Sequence, residues 1–82
     1  MREGQLEKAI AYFEQAAGTL PDNKVISANA AYAIILYMQR IGLQPSLMDK
    51  ANQYLQQVRE LDPDYKDLTK LLELAQALTE KA

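Results

Sequence analysis

An all-α fold of four antiparallel helices is what this chain predicts, and three observations carry that reading. Apolar residues recur in steps of three and four through four separate segments. The three Gly and three Pro fall at the seams between those segments. Strand signals are missing, since polar and apolar residues do not alternate and β-branched residues are few. Short connections then make neighbouring helices antiparallel.

The first helix, over about 4–18, carries Leu6, Ala9, Ile10, Phe13, Ala16, Ala17 and Leu20 on one face, with Glu7, Lys8, Glu14 and Gln15 opposite. Gly18 and Pro21 end it. The second, over about 23–41, follows the candidate caps Asp22 and Asn23 and stops at Gly42. It has two apolar stripes. Ile26, Ala30, Ala33, Ile34, Tyr37 and Ile41 form one, and Val25, Ala28, Tyr32, Ile35 and Leu36 form the other on roughly the opposite side. A helix apolar nearly all round is buried on both faces, and in so small a domain one face is expected to seek company.

The third helix, over about 46–61, is expected to open on a capping-box-like Ser46 and Asp49. Leu47, Met48, Ala51, Tyr54, Leu55, Val58 and Leu61 make its apolar face; Asn52, Gln53, Gln56, Gln57, Arg59 and Glu60 make its polar one. Asp62-Pro63-Asp64 is expected to cap the fourth helix, over about 64–80, with Pro63 at its first position. Tyr65, Leu68, Leu71, Leu72, Ala75 and Leu78 would line its inner side.

Composition narrows the chemistry. The 82 residues hold one domain, 49% hydrophobic and 24% charged, the balance of a folded protein. A net charge of −2 gives no footprint for nucleic acid or an anionic membrane surface. With no Cys and no His, disulfides, thiolate sites, the usual proton shuttle and the commonest metal ligand are excluded. No cofactor is expected. Asp62, Asp64 and Asp67 near Glu60 lack the Gly and terminal Glu of a calcium loop, and acidic residues suit helix N-termini unaided. No nucleophile elbow or phosphate loop is present, so an enzyme is not expected. The most apolar run, Ala30 to Met38, is far short of the roughly 20 residues that span a bilayer. The N-terminal residues have no apolar signal region, so a cytoplasmic location is the expectation.

An internal repeat organises the helices. Ala9, Tyr12, Phe13 and Ala16 align with Ala51, Tyr54, Leu55 and Val58, and Pro21 aligns with Pro63, every pair 42 residues apart. Small residues let helices approach, and the larger side chains fill the gap between them. This pattern resembles the tetratricopeptide repeat (TPR) family. The family's second helix runs small, aromatic, small and then Pro, as in Ala9, Phe13, Ala16 and Pro21 after the turn at Gly4; Ala51, Leu55, Val58 and Pro63 are the second copy. The likeness covers about half the chain. The family repeat is about 34 residues, so the second helix and its following turn, through Tyr37 to Pro45, are expected to be longer by about two turns' worth of residues. Ala30, Ala31 and Ile34 stand where the family often has Leu, Gly and Tyr. The chain opens at what would be a repeat's turn, which implies a first helix upstream and a longer parent protein. The lengthened repeat and Leu-rich last helix are also similar to the C-terminal helical part of bacterial TPR-containing response regulators, implying a role in signal transduction.

The resemblance implies a protein or peptide partner held along the second helix, at Val25, Ala28, Asn29, Tyr32, Ile35, Leu36 and Arg40. The other reading of that stripe is packing on the fourth helix or on an upstream one. Ala28 and Tyr32 occupy the face where some family members carry a cationic carboxylate clamp, which argues against such a clamp; Arg40 and Lys70 are the nearby cations. Self-association as a homodimer is the second expectation, because the face of the first helix would lack its cover.

Overall fold

The computed structural model describes residues 3–81, in four helices: α1 (Glu3–Thr19), α2 (Lys24–Ile41), α3 (Pro45–Leu61) and α4 (Leu68–Lys81). Each terminus has a local cause. The α1 chain stops after Thr19, the Leu20 N–H closing on Ala16 O at 2.8 Å, and Pro21 follows. Asn23 caps α2, its Oδ1 accepting the Ile26 N–H at 3.1 Å. Gly42 ends that helix at a φ of 102°, where a side chain is unfavourable, and donates to Met38 O.

Two starts differ from expectation. Helix α3 begins at Pro45, with Gln44 before it and no side-chain cap. Ser46 therefore sits inside the first turn and makes no capping box; proline's fixed φ sets the start instead. Helix α4 begins four residues after position 64, and Pro63 is not its first residue. Asp62 accepts the Asp64 N–H at 3.2 Å, the Tyr65 N–H returns to Asp62 O, and the Leu68 N–H returns to Tyr65 O. These consecutive turns occupy 62–67, and Asp67 O becomes the first acceptor inside α4, taking the Leu71 N–H.

Helix α2 is central. Its Ala30 and Ala33 are buried on the side of α1, where Tyr37 donates to Glu7 at 3.0 Å. Its Ser27 donates across to Gln57 of α3 at 3.3 Å, placing Ser27, Ala31, Ile34 and Met38 on the α3 side. Ala28 and Ile35 complete the core with Leu68, Leu71, Ala75 and Leu78 of α4 and Ala51, Leu55 and Val58 of α3. The first stripe of α2 is thus buried or half-buried, whereas in the second only Ala28 and Ile35 are buried, Leu36 is half-buried, and Val25 and Tyr32 stay exposed. Helix α1 packs its backbone on α2 alone and has none near α4, reaching α3 through side chains such as Glu14 and Lys50. Among the described residues α1 and α4 do not meet, so the four helices do not close into a ring.

Leu72 and Leu20, expected on inner faces, are exposed. Leu72 follows Leu71 by one helical step and so points away from the core. Leu20 lies just past the last residue of α1, where it lines an open hollow with Val25 and Leu61.

Candidate binding groove

The seam between α2 and α4 contains the candidate site. These helices run parallel, because Ala28, Asn29 and Tyr32 of α2 face Lys70 and Leu71 of α4, while Gln39 at the far end of α2 faces Leu74, Ala77 and Leu78. At the near end the seam opens into a cleft of about 260 Å³ lined by Ala28, Asn29, Tyr32, Tyr65, Asp67, Lys70 and Leu71. That is smaller than the roughly 300–1,000 Å³ that encloses a small organic ligand, so it suits one or two side chains of a larger partner. Ala28 and Leu71 form an apolar floor; the Asn29 amide and the two tyrosine hydroxyls can hydrogen-bond. Asp67 and Lys70 contribute one charge of each sign, so the cleft selects neither sign by itself.

The loop end of the cleft is fixed by Lys24. Its Nζ lies 2.6 Å from Asp62 Oδ2 and 5.8 Å from the centre of the Tyr65 ring. The Lys24 ammonium, hydrogen-bonded to Asp62, holds that carboxyl below the ordinary aspartate range. The α3–α4 loop is thereby tied to the first turn of α2, and Tyr65 is positioned at the mouth.

The seven residues singled out by sequence separate in space. Asn29 and Tyr32 are exposed walls of the cleft, Tyr32 at 41%, and Ala28 is its floor. Leu36 continues the same stripe, half-buried. Ile35 has no accessible surface and belongs to the core, because its side faces α4; it is no contact residue. Val25 opens onto another hollow, with Leu20 and Leu61 at the α1–α2 turn. Arg40 is exposed in the last turn of α2, beyond the cleft, where a cation suits the helix C-terminus. Positions 25, 29, 32, 36 and 40 nevertheless fall on one line along α2.

Tyr65, Asp67 and Leu71 were not expected here. Sequence placed Tyr65 and Leu71 inside and assigned Asp67 to capping. No local sequence signal finds them; the packing of α4 and its preceding turns beside α2 brings them together.

In comparisons with family models, curated proteins and solved structures, nothing matches this chain. Among the described residues no group of acidic side chains could hold a metal ion, and no helix is long and apolar enough to cross a membrane.

A second polar cluster lies on the opposite side, between α1 and α3. Lys50 Nζ is 3.1 Å from Glu14 Oε1, pairing a buried carboxylate oxygen with an ammonium. Burial pushes the Tyr54 hydroxyl pKa up, the Glu14 carboxylate adds to the effect, and Lys50 opposes it. A tyrosine kept protonated in this way supplies no base or nucleophile at neutral pH.

Proposed function

We propose that this chain is a TPR-like protein-interaction module, without catalytic function, that holds a peptide segment of a protein partner in the α2–α4 seam. The observation that carries the reading is the exposed line Asn29, Tyr32 and Leu36 beside a cleft floored by Ala28 and Leu71. In the TPR resemblance the first helix of each pair lines the concave side, and α2 and α4 are those helices here. The separation of α1 from α4 supports it, since it leaves the seam accessible. The proposed ligand is an amphipathic peptide, apolar toward Ala28 and Leu71 and hydrogen-bonding to Asn29 and the tyrosines. On the narrower resemblance the module would serve cytoplasmic signal transduction in a bacterial protein.

The test is affinity capture with the chain immobilised, comparing wild type with Tyr32→Glu and Leu36→Glu. Loss of the same partner from both variants, with helical circular dichroism unchanged, is the expected result. Retention of every wild-type partner by both variants rules this surface out.

A further inference from the structure

A different surface, on α1, points to self-recognition. The 42-residue equivalence allows each residue of α1 to be compared with its counterpart in α3. In α3, Ala51, Leu55 and Val58 are buried in the core shared with α2 and α4, and Tyr54 is half-buried. Their counterparts Ala9, Phe13 and Ala16 are only partly covered, and Tyr12 is 65% exposed, the most exposed large apolar residue among those described. The same row of side chains is buried in one copy and half-open in the other, most of all at Tyr12.

The open row is continuous with an interface already formed. Leu6 and Ala17 are buried against α2, and Phe13, Ala9, Ala16 and Tyr12 carry the apolar arc round the helix from there. Tyr12 and Phe13 meet edge to face, with ring centres 5.4 Å apart, so the aromatic pair is already ordered.

The far end of the array has no such face. The residues of α2 that receive α3 are Ser27, Ala31, Ile34 and Met38; the positions 42 residues on are Thr69, Glu73, Gln76 and Glu80, all polar and all exposed. Stacking α4 of one copy on α1 of the next would strip water from Glu73 and Glu80 without supplying a partner charge. Head-to-tail growth is therefore disfavoured, and among the described residues the apolar end of the stack is α1.

The row on α1 is also a palindrome. Ala9 and Ala16 lie symmetrically about the Tyr12–Phe13 pair. We propose that α1 pairs antiparallel with α1 of a second copy of this chain, placing Ala9 on the partner's Ala16 and Tyr12 on the partner's Phe13. Such a contact satisfies the rule of twofold interfaces, in which residue i meets j and j meets i. The alanines permit close approach at the two flanks, and four aromatic rings fill the centre. The α2–α4 seam stays free, so the pairing stands or falls apart from the groove reading.

Sedimentation of the 82-residue chain over a range of concentrations reads the association directly. The expected result is a species of twice the 9.2 kDa chain mass. Tyr12→Glu should raise the midpoint concentration by about tenfold or more, the effect of losing a central interface residue. Leu72→Glu, on exposed α4 surface, should leave it unchanged. Because the chain has no Cys, single-cysteine variants report the geometry: Ala9→Cys mixed with Ala16→Cys should cross-link on oxidation faster than either variant alone. A chain that stays monomeric at every concentration overturns the proposal. So does a dimer indifferent to Tyr12→Glu, or one in which each cysteine variant cross-links best to itself.

Discussion

Lys24 Nζ sits 2.6 Å from Asp62 Oδ2 and spans 38 positions of sequence, joining the first turn of α2 to the loop that precedes α4. The loop made by 62–67 has no helix of its own to hold it, so this contact and the Lys24–Tyr65 ring contact set where the cleft mouth lies.

The pair makes stability depend on pH. The Asp62 carboxyl is held low in the folded state, so the unfolded chain binds the proton more readily. Its stabilising contribution is complete above the unfolded value of about 3.9 and is lost as pH falls through the lower folded value. Urea unfolding of wild type and Asp62→Ala should show a gap that is widest near neutrality, narrows with added salt and closes in acid. A gap independent of pH would show that Asp62 acts through its backbone turn instead.

Two glycines should respond in opposite directions. A Cβ would meet open space at both Gly18 and Gly42, so contact does not decide either case. Gly18 lies within α1, where alanine is favoured over glycine by roughly 0.5–1 kcal/mol. Gly42 has φ 102° and ψ 162°, a region nearly reserved for glycine, and Gly42→Ala should cost about 1–3 kcal/mol. Thermal unfolding of the two variants checks the sign, which should be an increase for Gly18→Ala and a loss for Gly42→Ala.

Ile35 should behave as core and not as binding surface. Ile35→Ala should cost about 2–5 kcal/mol, a large share of the total for a chain this size. Tyr32→Ala, half exposed, should cost far less and act on binding instead. Chemical denaturation separates the two; equal losses would mean that Tyr32 is as structural as Ile35.

The extent to which sequence anticipated these features follows from what each depends on. The four helices were legible because three- and four-residue spacing is a local signal, and Asn23 starts α2 through its side-chain oxygen while Gly42 stops it through its backbone freedom, both local effects. The start of α4 was not, because Asp62 is engaged by Lys24, a contact across the fold that no local rule contains. Ala28 and Ile35 share a stripe with Tyr32, and only the position of α4 separates floor and core from wall. The exposed row on α1 could be named from the repeat, whereas the polar face of α4 needed the register of α2 against α3, fixed by Ser27 and Gln57.

Photo-cross-linking from position 32 tests the central claim most directly. A benzoylphenylalanine replacing Tyr32 lies in the cleft wall, and one replacing Glu73 lies on exposed α4 surface. If the seam between α2 and α4 holds a peptide of a protein partner, irradiation should give a covalent adduct to one protein from position 32 and none from position 73. An adduct from 73 alone, or none from 32 in the presence of a partner that copurifies with the chain, would contradict it.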